Sequence, residues 1–166
     1  YKSGLNIPVL YDCDIKEQQL VMSNVPGRPL IELLNDDSID DATMMKHLQS
    51  AGYSIRMLHR QAIVHGDLST NNIMITPSGE AVLIDFGLAK IEFETELYGI
   101  DLHVLLEILG ASHPHREGAM EAVLQGYKQC EQDLGTAAKT PGGDPVCMED
   151  VIERFDLIRT RVRYHG

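Results

Sequence analysis

The amino-acid sequence predicts an α+β fold that is mainly α, and three observations carry that prediction. Apolar residues recur three or four apart over 45–62 (Met45, Leu48, Gly52, Ile55, Leu58, Ala62) and again over 148–158 (Met148, Val151, Ile152, Phe155, Ile158), the spacing of a buried helix face. Between them lie an apolar strand, Ile73-Met74-Ile75, a Pro77-Ser78-Gly79 turn and a second apolar strand, Ala81-Val82-Leu83-Ile84, which together read as a short β-hairpin. A length of 166 residues is that of one domain able to bury a sizeable core.

Taken in order, residues 4–11 read as extended, because Pro8 bars a helix interior, and an apolar segment at 19–22 follows a polar turn at Lys16-Glu17, so a hairpin is expected there. Residues 30–35 suit a short helix. Asp40 or Asp41 can cap a longer one running to about Gln61. Methionines on its stripe read as core filler. Asp101 is expected to open the apolar helix that contains Leu102, Leu105 and Leu109, and Ser112-His113-Pro114 to break it. A further helix is expected over 117–129, then a loop over 135–145, with Asp144 as cap and Pro145 in the first turn of the last helix. Arginines at 159, 161 and 163 suit that helix's C-terminal dipole. No internal repeat or low-complexity tract is evident.

Composition narrows the function classes. A net charge of −11 disfavours autonomous nucleic-acid binding, which depends on neutralising phosphates. Three cysteines, Cys13, Cys130 and Cys147, lack metal-ligand spacing and read as reduced thiols. No apolar run approaches a membrane span, and Tyr1-Lys2-Ser3-Gly4 does not open a signal or transit peptide; a soluble protein of the cytoplasm, with a nuclear pool left open, is the expectation.

The chemistry concentrates between His65 and Gly87. His65-Gly66-Asp67-Leu68-Ser69-Thr70-Asn71-Asn72 precedes the hairpin, and Ile84-Asp85-Phe86-Gly87 follows it. Asn72 lies five residues after Asp67, and Asp85 thirteen after Asn72. Either motif alone is common and usually marks a turn or a capped helix. Both together, with an Asn at that offset and strand-turn-strand between, resemble the catalytic and metal loops of protein kinases.

That resemblance implies a protein-kinase-like C-terminal lobe with a small catalytic-loop β-hairpin, over residues 26–166. Residues 1–25 would be the end of an N-terminal lobe and the hinge. It implies ATP and Mg as cofactors, because phosphoryl transfer is mostly positioning and charge neutralisation, and magnesium takes one or two protein oxygens beside the nucleotide's phosphates. Asp67 would orient the attacking hydroxyl or water, and Asn72 and Asp85 would hold the metal. Ser69 would occupy the catalytic-loop place of a Lys that contacts the transferred phosphate. In the hinge Met22 would be the gatekeeper, backbone groups of Ser23 and Val25 would bond the adenine edge, and Met74 and Ile84 would line the nucleotide. His65 would pack beneath the metal loop, and Asp101 would bond the catalytic-loop backbone.

Across nearly the whole chain the motifs are similar to those of the small atypical kinase of the KEOPS complex, a family related to RIO kinases. The segments concerned are 65–72, 82–89, the short link to Ile100-Asp101-Leu102, Ser112-His113-Pro114 and a closing Arg-x-Arg. RIO kinases share the His-x-Asp-Leu-Ser opening but replace the Phe-Gly seen here. The resemblance implies a serine/threonine kinase and ATPase supporting threonylcarbamoyl-adenosine formation on tRNA. Its partners would be the KEOPS threonylcarbamoyl-transferase subunit and other KEOPS subunits, with direct tRNA contact left open and no membrane. Two other classes stay in view: a catalytically silent lobe acting as a binding or scaffold module, and a small-molecule phosphotransferase.

Departures from ordinary kinases carry expectations too. Gly66 stands where many have an Arg that receives a phosphorylated activation loop, and the acidic link over 88–99 is short, so no activation-loop switch is expected. Val162 replaces the Gly of the family's terminal Arg-Gly-Arg, and an insert is expected over 130–148. Residues 1–166 contain no Gly-rich loop or strand Lys ahead of the hinge, so the sequence is expected to be a fragment, or the family's N-terminal lobe to be supplied from elsewhere, and residues 1–166 alone are expected to bind ATP poorly.

Overall fold

A computed structural model describes residues 4–140 and 142–163. Tyr1-Lys2-Ser3, Pro141, Tyr164-His165-Gly166 and the side chains of Val162 and Arg163 lie outside the described residues, and with them the expectations for the chain's start and its Arg-x-Arg close.

The expected hairpin near the start is present as β1 (Leu10–Asp14) and β2 (Gln19–Met22), antiparallel, every residue exposed. The chain then runs through β3 (Arg28–Pro29) into α1 (Leu30–Leu34) and α2 (Asp41–His59). Asp40 is the N-cap of α2, its carboxylate accepting from the Thr43 N–H at 2.9 Å. The helix ends at His59, two residues earlier than expected. Its stripe is buried through Leu48, Gly52, Ile55 and Leu58; Met44 is fully buried, and Met45 packs against the core only in part. Fully burying each such side chain contributes about 1.5–3 kcal/mol.

β4 (Ile63–Val64) leads to the catalytic-type loop, followed by β5 (Ile73–Ile75) and β6 (Ala81–Leu83). The hairpin was legible, with Ile84 just beyond its second strand. β3 adds to its other edge through Pro29 opposite Met74, giving the order β3-β5-β6. β7 (Lys90–Ile91) returns to pair with β4.

α3 (Thr95–Ser112) starts six residues before Asp101, so Asp101 is no N-cap, and the expected loop over 88–99 contains β7 and the first turn of α3. α4 (Ala119–Leu134) runs five residues beyond its expected end. α5 (Met148–Arg163) starts after Asp144 and Pro145; the Asp144 carboxylate pairs with Lys139 at 3.0 Å instead of capping the helix. Val151 and Phe155 of α5 are buried, and Met148 and Ile152 pack against the core.

Two layers result: the helix pairs α2 with α4 and α3 with α5, and the small β3-β5-β6 sheet, whose Ala81 bonds to Ser50 and Ser54 midway along α2. The α2–α4 contact is close because each helix presents a glycine. A Cβ at Gly52 would lie 1.8 Å from the Val123 carbonyl oxygen, and one at Gly126 1.8 Å from that of Gln49. Among the described residues no helix is long and apolar enough to cross a membrane.

Candidate functional site

Local chain geometry brings two of the candidate residues into direct contact. The segment 65–72 leaves β4 and turns back into β5, with the Asn72 N–H donating to the Ser69 carbonyl at 3.0 Å. The Asn72 side chain points into that turn. Its Nδ2 donates to the Asp67 carbonyl at 2.8 Å and to Asp67 Oδ2 at 3.0 Å. The amide oxygen, Oδ1, is therefore the atom of Asn72 left for another partner. Asn72 is buried, whereas Asp67 is exposed.

Asp85 is tied to the same edge one residue along. The Ile84 N–H donates to the Asn72 carbonyl at 3.0 Å, so the strand end carrying Asp85 is bonded to Asn72. Asp85 sits in the left-handed region at φ +60, which a short polar side chain tolerates better than most, and its Oδ1 accepts from the Gly87 N–H at 3.3 Å. The carboxylate is exposed, and among the described residues Oδ2 has no partner. The oxygens left over, from one amide and one carboxylate, match what magnesium takes from a protein. Among the described residues no cluster of three or more His, Cys, Asp or Glu is placed to hold a metal.

The backbone of the first loop is held from below. Asp101, buried in α3, accepts from the His65 N–H at 2.7 Å and the Gly66 N–H at 3.0 Å. His59 Nε2 lies 3.3 Å from the same carboxylate, and His59 Nδ1 2.8 Å from the Tyr127 hydroxyl, so a neutral ring donating to Asp101 and accepting from Tyr127 satisfies both. Burial pushes the Asp101 carboxyl up, but the bonds from His59, His65 and Gly66 outweigh it and hold it below the usual carboxylate range. Burial lowers His59, and the nearby Asp101 does not reverse that. The His65 ring sits 5.1 Å from that of Phe86, and its Nε2 donates to the Ile84 carbonyl at 3.0 Å, joining the first loop to the second. This is the packing expected beneath the metal loop.

Gly66 has a structural reason. At φ +79, a Cβ there would lie 2.5 Å from the Leu88 carbonyl oxygen, so there is no room for the Arg that many kinases carry at this place.

The remaining candidates are spread more widely. Ser69 is half-buried, its carbonyl bonded to Asn72 and its hydroxyl without a protein partner among the described residues. Met74, half-buried, lies between Pro29 and Val82 in the sheet, and Ile84, also half-buried, follows β6. Met22 ends the exposed β1–β2 ribbon. The Ser23 N–H donates to the Val9 carbonyl at 2.8 Å, so what Ser23 can offer a ligand is its carbonyl. Val25 is half-buried in the link to β3.

Residues 6–99 match the protein kinase domain family. The chain belongs to that family. Among curated proteins this kinase-family chain is 38% identical over 125 residues to the KEOPS complex subunit Bud32 of Pyrococcus abyssi, a match covering 75% of this chain and 56% of the relative. It is 30% identical over 164 residues to a probable bifunctional tRNA threonylcarbamoyladenosine biosynthesis protein of Methanosarcina barkeri, covering 98% of this chain and 25% of the relative. The EKC/KEOPS complex subunit BUD32 of Gibberella zeae is 31% identical over 145 residues, covering 77% of this chain and 55% of that protein. The chain thus spans about half or less of the length of these relatives, and their names agree with the KEOPS kinase family that the motifs resemble.

One part of the support was not anticipated from the sequence. Arg56, fully buried, pairs with Glu131 at 2.8 Å, and its Nη1 donates to the Val146 carbonyl at 3.2 Å and contacts the Tyr127 hydroxyl at 3.5 Å. Arg60 reaches the same Glu131 oxygen at 2.8 Å. With Tyr127, His59 and Asp101 this makes a continuous polar chain from α4 to the first loop. The available signal was Arg56 and His59 standing on the α2 face one residue beyond Ile55 and Leu58.

Proposed function

We propose that this chain carries Mg-ATP-dependent phosphoryl transfer or ATP hydrolysis, as an atypical serine/threonine kinase/ATPase of the KEOPS type that supports threonylcarbamoyl-adenosine formation on tRNA. Residues 1–25 serve as the end of an N-terminal lobe and hinge, and 26–166 as the C-terminal lobe. The observation that carries the reading is the bonding of Asn72: its amide N–H groups are spent on Asp67, its amide oxygen has no partner among the described residues, and its carbonyl tethers the strand end that bears Asp85.

Bound Mg-ATP supplies the transferable phosphoryl group and the charge that offsets its oxygens. Asn72 Oδ1 and the Asp85 carboxylate would hold the metal. Asp67, fixed through Oδ2 by Asn72, keeps its second oxygen for the proton of an attacking hydroxyl or water. Ser69 presents a hydroxyl, not an ammonium, to the transferred phosphate, which favours hydrolysis over peptide phosphorylation. Met74 and Ile84 would line the nucleotide, with Met22, the Ser23 carbonyl and Val25 on the side of the adenine. The partners are the KEOPS threonylcarbamoyl-transferase subunit and other KEOPS subunits.

The test is ATP turnover in the complex with the transferase subunit, wild type against Asp85→Ala and Asp67→Asn. Each variant is expected to lose about 10²-fold or more. Hydrolysis retained by Asp85→Ala would refute the assignment. A second reading is a binding or scaffold lobe without turnover. It predicts that both variants assemble and support tRNA modification like wild type.

A further inference from the structure

The turn between α3 and α4 contains a cluster that the catalytic-type loops do not use. His113, two per cent exposed, has neither ring nitrogen hydrogen-bonded among the described residues. It lines a cavity of about 150 Å³ together with Leu109, Gly110, Arg116, Met120 and Glu121. That volume would hold roughly five waters at about 30 Å³ each, or one tetrahedral oxyanion. A buried imidazole with both nitrogens unpaired costs about 1–3 kcal/mol unless something in the cavity answers it.

Two further donors belong to residues that line the same space. α4 begins at Ala119 after Gly118, which is left-handed at φ +75 and gives no side-chain cap. The Ala119 N–H is taken by the Arg116 carbonyl and the Ala122 N–H by the Gly118 carbonyl, but among the described residues neither the Met120 nor the Glu121 N–H meets an acceptor. These are first-turn N–H groups at the positive end of a 16-residue helix. The charge nearby has the same sign. Burial lowers His113, and the His115 ring, 6.2 Å away, and Arg116 lower it further, as expected of a site short of negative charge.

Arg116 builds the wall with three of its five N–H donors committed elsewhere. Its Nε is committed to the Leu34 carbonyl at 3.2 Å, Nη1 to Asp41 at 3.1 Å and Nη2 to the Asp36 carbonyl at 3.0 Å. Glu121 is the one carboxylate in the lining, and its side chain is exposed.

We propose that the cavity between the end of α3 and the start of α4 is an oxyanion site, taking inorganic phosphate or a small phosphomonoester on the His113 ring and the Met120 and Glu121 N–H groups. The proposal is independent of the phosphoryl-transfer reading, because Asp67, Asn72 and Asp85 do not line the cavity.

The test is an NMR titration of the 166-residue chain with sodium phosphate at constant ionic strength, chloride making up the balance. The His113 ring nitrogens and the Met120 and Glu121 amides should move together and saturate by about 10 mM, where a site with a Kd near 1 mM is filled. His113→Phe should weaken binding at least tenfold, and Glu121→Gln, which removes the lining carboxylate but keeps the backbone donor, should tighten it severalfold. A parallel titration with glycerol phosphate identifies the source: a response to it as well extends the site to phosphorylated metabolites, and a response to phosphate alone assigns the free ion. Absence of saturable movement of the three wild-type reporters means that water alone answers His113 and overturns the proposal. So does an equal response in His113→Phe, or weakening by Glu121→Gln; the wild-type reporters and Glu121→Gln keep the test decisive if His113→Phe does not fold.

Discussion

Replacing Gly126 by alanine puts the α2–α4 interface to a quantitative test. In an open helix interior the change stabilises by about 1 kcal/mol, because alanine is the better helix former. Here the new methyl would lie 1.8 Å from the Gln49 carbonyl oxygen, with the rest of the Gln49 backbone at 2.6 and 2.8 Å. An ordinary carbon–oxygen contact is about 3.3 Å, so α4 must withdraw from α2 by about 1.5 Å. A gap of 0.5–1 Å already forfeits a quarter to a half of each van der Waals contact, and the fully buried Leu48, Ala51, Ile55, Val123 and Tyr127 share this layer. The obstruction is backbone and cannot swing aside, so the cost falls at or beyond the upper end of the usual 1–3 kcal/mol for overpacking. With the helix-propensity gain subtracted, a net loss of about 2–4 kcal/mol is expected. In urea, with a slope of about 2 kcal/mol per molar, the midpoint drops by about 1–2 M. Gly52→Ala should behave alike, and the double variant should cost less than the sum, since the first withdrawal makes room for the second methyl. Gly110, in α3, is the internal control: a Cβ there meets nothing within 4 Å, and Gly110→Ala should gain about 0.5–1 kcal/mol. If Gly126→Ala unfolds at the same urea concentration as Gly110→Ala, the close-approach argument is wrong.

Three further outcomes follow from the site and its support. Asp101→Asn replaces one of two accepting oxygens with a donor facing a backbone N–H; a loss of about 2–4 kcal/mol by denaturation is expected, together with slower turnover in the complex, and unchanged stability would deny Asp101 its role under the loop. Asp85→Gly relieves a left-handed non-glycine residue and should stabilise by up to about 1 kcal/mol while abolishing ATP hydrolysis, so a variant that is less stable would contradict the strain at this position. His59 and His113 have folded-state pKa values depressed below 6.5, so their contribution is complete above that pH and is lost as pH falls below it, when the unfolded chain takes up protons that the folded one refuses. The slope is up to about 1.4 kcal/mol per pH unit per histidine; urea melts between pH 7 and 5 in a buffer free of phosphate and sulfate measure it, and a flat profile would mean that the rings titrate normally.

What could be read in advance was what depends on near neighbours in the chain. The hairpin over 73–84 and the loops flanking it are bounded by strong turn residues, and α2 shows its period and its Asp40 cap. The start of α3 was hidden by Gly99, which looks like a helix stop; it lies against α5, where a Cβ would come within 3.0–3.2 Å of Arg154, Ile158 and Phe155. β7 was not legible because two residues carry no periodicity, and its pairing with β4 spans nearly thirty positions. Asp144 resembled a cap by spacing, but the salt link to Lys139 won. The Arg56, His59, Tyr127 and Glu131 chain was missed for a different reason. A charged residue at an inward position reads as surface until its partner is known, and here the partners lie about seventy residues away.

The β1–β2 ribbon has an implication for how the molecule opens. Among the described residues these two strands have solvent on both faces and no neighbour at either edge, an arrangement only marginally stable, and Tyr11, Ile15 and Leu20 are 67%, 85% and 59% exposed. Its amide hydrogens should therefore exchange with deuterium through local fraying, while those in the middle of α2 wait for global unfolding. Any surface that lays a third strand along it would slow that exchange, making the ribbon a built-in gauge of docking.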